Sequence, residues 1–249
     1  MPGSRRLEEL SLNSSAPPGQ LLFDGWLLRL APGKATRART VNAVYPSTLA
    51  VADKIAYCER VYGGARLPAL FRITPFSQPP ELDGELERRG YGLFDMTSVE
   101  AADIGTASPP GASPDATVMN VRAWVDAVGE LRGSPAEHRA GHLARLEGMP
   151  LAMRAVAIER AGRVVATGLT IVEHDCAGLF DIVTHADERR RGHARTVVAA
   201  LLRAAHGLGA RHSYLQVDSA NEPARRLYRE FGFAERYRYW YRGREGEMH

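Results

Sequence analysis

The stretch "DIVTHADERRRGHARTVVAALLRAA", Asp181 to Ala205, joins a short apolar run to three arginines and then to a long apolar-periodic segment. Val197, Val198, Leu201 and Leu202 recur on one helical face, and Gly207 or Gly209 can stop the helix. Leu179 to Thr184, just upstream, reads as a strand. A strand thus turns directly into a helix that begins near Gly192, whose first N–H groups lack internal partners and carry the positive end of the macrodipole. Such a helix start suits a phosphate. Gly192, without a Cβ, lets the backbone approach a ligand closely, and Ala194 keeps the next turn narrow. Arg190, Arg191 and Arg195 can add charge-assisted contacts.

The arginine triple carries little information by itself. Of 32 basic residues only Lys34 and Lys54 are lysine, so runs of arginine are nearly expected in this chain. The address of the run, between strand and helix, carries the signal. The net charge of +3 is mild, and there is no interleaving of aromatics or nucleic-acid-binding module around the arginines. A nucleic-acid patch is therefore the weakest reading. Neither a span of about 18 apolar residues nor the apolar core of a signal peptide is present, which predicts a cytoplasmic protein without a membrane partner. Cys58 and Cys176 stand far apart without metal-ligand spacing, so both are expected to be small buried residues and no metal site is expected.

Outward from the junction, the rest of the C-terminal half reads in order. "TVMNV" is a strand; Trp124, Val125, Val128 and Leu131 mark a helix, and a second helix follows Ser134 and ends at Gly148. "MRAVAIERAGRVVATGLTIVEHDCAGLFDIVT" is an antiparallel meander broken at "RAGR" and "EHDCAG". After the long helix, "HSYLQV" is a strand, "SANEPARRLYREFG" a helix and "FAERYRYWYR" a last strand. The predicted order is β-α-α-β-β-β-α-β-α-β.

The N-terminal half follows part of the same plan. "GWLLRLAPGKATRARTVNAVYP" parallels the meander, "TLAVADKIAYCERVYG" the long helix, and "LFRITPFSQPPELDGELERRGYGLFDMTSVEAAD" the final strand-helix-strand. It has no arginine-glycine junction and no room for the two opening helices, so it reads as a degenerate copy. The division predicted is a polar leader or frayed helix over 1–19, the degenerate half over 20–103, a Pro/Gly/Ser-rich linker over 104–114 and the intact half over 115–249.

Arg189-x-x-Gly192-x-Ala194, after an apolar strand and before an apolar helix, resembles the acyl-CoA signature Arg/Gln-x-x-Gly-x-Gly/Ala of the GNAT superfamily of N-acyltransferases. Downstream, Leu215 to Val217, Asn221, Ala224, Leu227-Tyr228 and Gly232-Phe233 resemble that family's second signature. The resemblance covers residues 115 to 241 well and the N-terminal half by element plan alone. It implies an α/β (α+β) fold with a mixed, mostly antiparallel sheet flanked by helices, in which two central parallel strands splay apart to admit the pantetheine arm. A two-copy arrangement with one intact site is implied.

By the same resemblance, backbone groups of Ile182, Val183 and Thr184 would pair with pantetheine, the N–H groups of Arg190, Arg191, Gly192, His193, Ala194 and Arg195 would hold the pyrophosphate beside Arg189, and Asn221 would contact the cofactor. Tyr228 would be the general acid at the departing sulfur and another cofactor contact. Ala186 stands where relatives often carry proline, which loosens the turn without removing a ligand group. Asn221, like Ser219 with its Ser-x-x-Glu spacing to Glu222, can equally cap the following helix.

Asp181, a carboxylate in an otherwise apolar strand, is the first candidate for general base. Relatives that use a carboxylate on this strand carry it about where Gly178 stands, and Asp181 can instead pair with one of the many arginines. Glu173, His174, His185 or a water relay are the reserves.

The resemblance implies an acetyl-CoA-dependent N-acetyltransferase in which the amine of a small molecule, peptide or protein attacks directly in a ternary complex. A non-catalytic acyl-CoA-binding or sensing module is the competing reading. Acetyl-CoA and an amine acceptor are the expected partners, with a homodimer left open. The acceptor is expected between the opening helices, Arg122 to Gly148, and the loops near Glu173 to Gly178, with the N-terminal half closing one side; the acidic Asp126, Glu130 and Glu137 there read as ordinary surface charge.

Overall fold

The chain is described over residues 1–31, 36–105 and 115–246 in a computed structural model. Helix α1 (Ser4–Ser14) comes first, followed by β1 (Gln20–Phe23), β2 (Trp26–Arg29), β3 (Thr40–Ala43), α2 (Val51–Gly64), β4 (Leu70–Ile73), α3 (Leu82–Arg88) and β5 (Gly92–Asp103). The second half runs β6 (Ala116–Met119), α4 (Val121–Leu131), α5 (Ala136–Glu147), β7 (Ala152–Arg160), β8 (Arg163–Glu173), β9 (Cys176–Thr184), α6 (His193–Gly207), β10 (His212–Asp218), α7 (Glu222–Arg229) and β11 (Ala234–Gly243). This is the order predicted for the C-terminal half. The linker predicted over 104–114 lies, beyond Gly105, outside the described residues.

Two compact units result. One comprises Met1–Ser14, Glu100–Val217 and Asn221–Glu235; the other comprises Ser15–Val99, Asp218–Ala220 and the chain from Arg236 on. The division at 115 predicted from the linker composition is therefore not the one the backbone makes. β11 runs almost wholly in the N-terminal unit, between β4 and β5, and the end of β5 runs beside β10 in the C-terminal unit. Hydrophobic patterning marks a segment as a strand but carries no information about which sheet receives it.

In the C-terminal unit β10, β9, β8, β7 and β6 lie side by side. β6–β7, β7–β8 and β8–β9 are antiparallel, and β9–β10 are parallel, joined through α6. The first of the "RAGR" and "EHDCAG" breaks becomes a two-residue turn with Ala161 and Gly162 both at positive φ, the conformation that matches the twist of a hairpin. On one sheet face the predicted stripe Val197, Val198, Leu201 and Leu202 of α6 packs with Ala166, Ala177, Leu179, Leu215 and Val217. On the other, Trp124, Val125 and Val128 of α4 and Leu146 of α5 pack on Ala155, Leu169 and Ile171.

The leader is corrected by the structure. Residues 4–14 form a full helix belonging to the C-terminal unit, with Leu7 and Leu10 buried. Its polar composition concealed this because buried polar residues there have partners: Ser14 Oγ lies 3.1 Å from the Tyr214 hydroxyl, Gln216 donates to Ser11 Oγ, and Arg145 donates to the Ser14 carbonyl at 3.2 Å. A helix that buries hydroxyls reads as a solvated one in the sequence.

In the N-terminal unit β1–β2 and β2–β3 are antiparallel, β3–β4 parallel and β4–β11 antiparallel. Trp26, Leu28, Val41, Phe71 and Ile73 pack against Ile55, Cys58 and Tyr62 of α2. The hairpin, the parallel pair bridged by a helix and the helix-strand ending thus occur in both halves. At the start of α2, however, the cap is Ala50 at φ −60, ψ 138, with no left-handed turn.

Candidate functional site

The parallel ladder between β9 and β10 covers four pairs, from Cys176–His212 to Leu179–Leu215. Beyond it β9 runs on to Thr184 and β10 to Asp218. The cause of the parting lies on β9. Opposite β8 the register jumps, Phe180 facing Leu169 and Val183 facing Thr167, so Asp181 and Ile182 together oppose Gly168. Asp181 takes φ +51, a backbone conformation a β-strand residue does not otherwise adopt. Gly168 makes the bulge possible: a Cβ there would lie 2.8 Å from Leu201 and 2.9 Å from Val197. Ile182 packs toward the α6 core and Val183 toward the α4–α5 layer.

The strand ends with the His185 N–H donating to the Val165 carbonyl at 2.8 Å, and a single 3-10 turn, Ala186–Glu188, follows. Ala186 opens that turn. Arg190 then lies at φ +61 and Gly192 at φ +83. Gly192 is the N-cap of α6 and no side chain caps the helix. Nothing lies within 4 Å of the position a Gly192 Cβ would take. The first-turn N–H groups therefore face an open cradle at the positive end of a four-turn helix, which is the backbone chemistry an anionic diphosphate needs.

The side chains divide more finely than the sequence suggested. Arg191 reaches Glu188 at 3.2 Å and Arg195 reaches Glu230 at 2.9 Å. His193 is buried and directs Nε2 to Glu188 at 3.2 Å, so it offers the cradle its backbone alone. The hydrogen bond from His193, with the nearby Arg191 charge, holds the Glu188 carboxyl below its ordinary range. Arg189 and Arg190 are exposed. Solvent-facing ion pairs such as Arg195–Glu230 are weak and exchange readily for a phosphate.

Asn221, not Ser219, caps α7, its Oδ1 accepting from the Ala224 N–H at 3.2 Å. Tyr228, near the other end of α7, is 8 % exposed and stands edge-on to Phe233 in the α6-side core. Burial, reinforced by the Glu100 carboxylate, pushes its phenol up to about 12.

Asp181 is flanked by an arginine and a histidine. Arg132, at the end of α4, reaches its Oδ1 at 2.6 Å, and His142 of α5 places Nε2 3.6 Å from its Oδ2. The arginine pairing weighed in the sequence is thus the observed one. At Gly178 a Cβ would lie 2.5 Å from the Phe180 ring and 2.8 Å from Tyr214, so these two rings fill that place. Glu173 accepts from Arg6 at 2.8 Å and from Asn13 at 3.0 Å, both on α1. His185 accepts from the Asp187 N–H at 3.3 Å, and His174 is exposed at a turn beside Asp175. Cys58 and Cys176 are buried as expected, and burial pushes both thiols up to about 12.

Two residues escaped the sequence reading: Arg132 and His142. Each stands roughly 40 to 50 positions before Asp181, in an ordinary surface-helix context, and only the packing of α4 and α5 on the sheet brings them together. The one local hint is a histidine on the apolar side of "HRAGHLARLEG".

Residues 123–233 match the Acetyltransferase (GNAT) family. This segment belongs to the GNAT family. The segment holds the whole cradle, Asp181, Asn221 and Tyr228, and also Arg132 and His142. No curated protein matches the chain by sequence. Among solved structures the chain is similar to a GCN5-related N-acetyltransferase from Kribbella flavida, at 17% identity over 99% of this chain and 97% of that one, TM-score 0.72. It is likewise similar to a GCN5-related N-acetyltransferase from Sphaerobacter thermophilus, at 17% identity over 94% and 84%, TM-score 0.63. A tandem GNAT protein from the clavulanic acid biosynthesis pathway matches at 15% identity over 82% and 74%, TM-score 0.59. At such identities these are likenesses of fold. They establish the GNAT architecture, a mixed and mostly antiparallel sheet with flanking helices, along nearly the full chain.

Proposed function

We propose that the protein is an acetyl-CoA-dependent N-acetyltransferase. The observation that carries this reading is a conjunction in the GNAT segment: a parallel ladder that ends at Leu179–Leu215 beside an uncapped helix start with Gly192 at φ +83. Ile182, Val183 and Thr184 continue β9 past the ladder and would supply main-chain partners to the pantetheine arm. Arg190 to Arg195 would hold the diphosphate through backbone N–H groups, with Arg189 and Arg190 adding charge. Asn221 would act through its position at the head of α7. When bound, acetyl-CoA supplies an acyl group already activated as a thioester.

Tyr228 serves the sulfur. An ordinary thiol titrates near 8.5, well below a phenol held at about 12, so outright proton donation from Tyr228 is uphill. Its useful contribution is a hydrogen bond that strengthens as negative charge gathers on the sulfur. Tyr228→Phe is expected to lower kcat about 100-fold, the low end for losing one hydrogen-bond donor to developing negative charge, with acetyl-CoA affinity little changed. Because the phenol stays protonated up to about 12, the wild-type profile has no alkaline limb from Tyr228 below pH 11. Equal turnover by the two proteins across the pH range would remove Tyr228 from the mechanism.

A thermal-shift screen with CoA thioesters tests the whole reading. A thioester at about 100 times its Kd stabilises the fold by about 2.7 kcal/mol, a readily measured rise in Tm. Absence of any shift with every thioester would overturn the proposal. The engagement of Asp181 by Arg132 and the filled place at Gly178 favour a second reading, a non-catalytic acyl-CoA sensor. It predicts stoichiometric acetyl-CoA binding with no transfer to any amine.

The N-terminal half is read as a second, degenerate GNAT copy over about residues 20–103. It repeats the hairpin, parallel pair and helices, but Ala50 stands at the helix start where a cradle would need its glycine.

A further inference from the structure

The α4–α5 layer contains a partly buried titratable group with no role in the mechanism above. His142 is 20% exposed at its side chain, lies edge-on to the Trp124 ring at a centroid distance of 5.5 Å, and has its Nε2 sealed from solvent with no hydrogen bond. Asp181 Oδ2 lies 3.6 Å from Nε2, just outside hydrogen-bond range. Arg132 holds the other oxygen, Oδ1, at 2.6 Å. One carboxylate oxygen is thus held by a guanidinium and the other faces the imidazole, and Asp181 cannot turn away from the ring without breaking its pair with Arg132. A proton on Nε2, facing Asp181, would leave the lone pair on Nδ1.

The place of this pair in the fold matters as much as its geometry. Asp181 is the bulged residue, two positions past the last β9–β10 pair and immediately before Ile182. The imidazole therefore stands at the mouth of the strand opening, on the sheet face opposite α6. The charged and titratable groups around it are Asp181 on β9, Arg132 at the end of α4, and Arg145 and His138 on α5 itself.

We propose that His142, positioned by Asp181, is the base that receives the proton of the acceptor ammonium. The inference rests on the acetyl-transfer reading and names the residue that reading leaves open. The ammonium N–H proton passes to Nδ1, making the acceptor nitrogen neutral. That nitrogen then bonds to the acyl carbon while the C–S bond breaks. The second proton lost by the nitrogen ends on the sulfur, giving an amide and a free thiol, and His142 returns its proton to water. Burial holds His142 below its ordinary value against the pull of Asp181, so at pH 7 it is neutral and has a lone pair to accept a proton. Asp181 touches no reacting atom and is a positioning residue.

Three measurements on the full chain test this. In an NMR titration of the His142 ring, Asp181→Asn removes the one anion that raises it and should lower its midpoint by about half a unit or more; an unchanged midpoint would sever the pair. Calorimetry should give His142→Gln the acetyl-CoA affinity of the wild type, and a lost affinity would move His142 out of the acceptor side. Turnover is then compared on two probes, a primary alkylamine that is protonated at pH 7 and an arylamine that is neutral there. His142→Gln should lose about 100-fold in kcat or more on the alkylamine and far less on the arylamine, with KM little changed. Equal losses, or none, overturn the assignment. Wild-type protein that fails to bind acetyl-CoA would instead overturn the acetyl-transfer reading beneath it.

Discussion

Gly192→Val is expected to lose at least about 100-fold in acetyl-CoA affinity while the protein still folds. Gly192 sits at φ +83, where a β-branched residue is strongly disfavoured, by about 1–2 kcal/mol or more. The surroundings offer no clash, since nothing lies within 4 Å of the added Cβ. Stability should therefore fall only by the backbone strain. Binding suffers twice: the valine side chain enters the open cradle, and relief of the left-handed turn rotates the first N–H groups of α6 away from their common focus. Gly192→Ala should fall between the two proteins in both respects. Calorimetric titration with acetyl-CoA, alongside thermal melts, separates the effects. A loss under threefold in Gly192→Val would mean that the diphosphate does not sit on this helix start.

Trp124→Ala is expected to be the most destabilising single change in the α4–α5 layer. The side chain is 0% exposed and packs with Val128, Leu146, Leu169 and Ile171. Truncating a buried tryptophan costs about 3–5 kcal/mol, a large part of the 5–15 kcal/mol typical of a whole domain. At about 2–4 °C per kcal/mol for a chain of this size, Tm should drop on the order of 10 °C. Chemical denaturation of variant and wild type measures it. Trp124→Phe, which keeps most of the volume, should retain most of the stability. The edge of this ring also confines His142, so the alanine variant should lose turnover beyond what partial unfolding explains. A cost below 1 kcal/mol would show that the layer is not the close-packed support described.

Why some of the site could be read in the sequence and some could not follows from how each part is built. The cradle is local: an apolar strand, a turn, a glycine and a helix within one continuous stretch, each announced by its own residue preference. The second signature, from Leu215 to Phe233, is local in the same sense. The Asp181 pair is not. Its partners lie on α4 and α5, and helices of that composition usually carry such residues as surface decoration. The bulge at Asp181 was hidden because a register jump is a property of two strands and of Gly168 between two α6 side chains. Helix α1 was read as a leader because Glu8, Ser11 and Ser14 suggest water, whereas all three are buried. The exchange of β5 and β11 between units had no local mark at all.

That exchange carries a consequence for biosynthesis. Residues 15–99 leave the ribosome long before β11, yet their sheet has β11 between β4 and β5. Until the stretch from Arg236 is made, that unit lacks an interior strand, and the backbone groups of its neighbours stay unpaired. The first half of this protein to be synthesised is therefore expected to complete its sheet late, because closing it waits on a pairing between residues some 170 positions apart, such as Ile73 with Trp240.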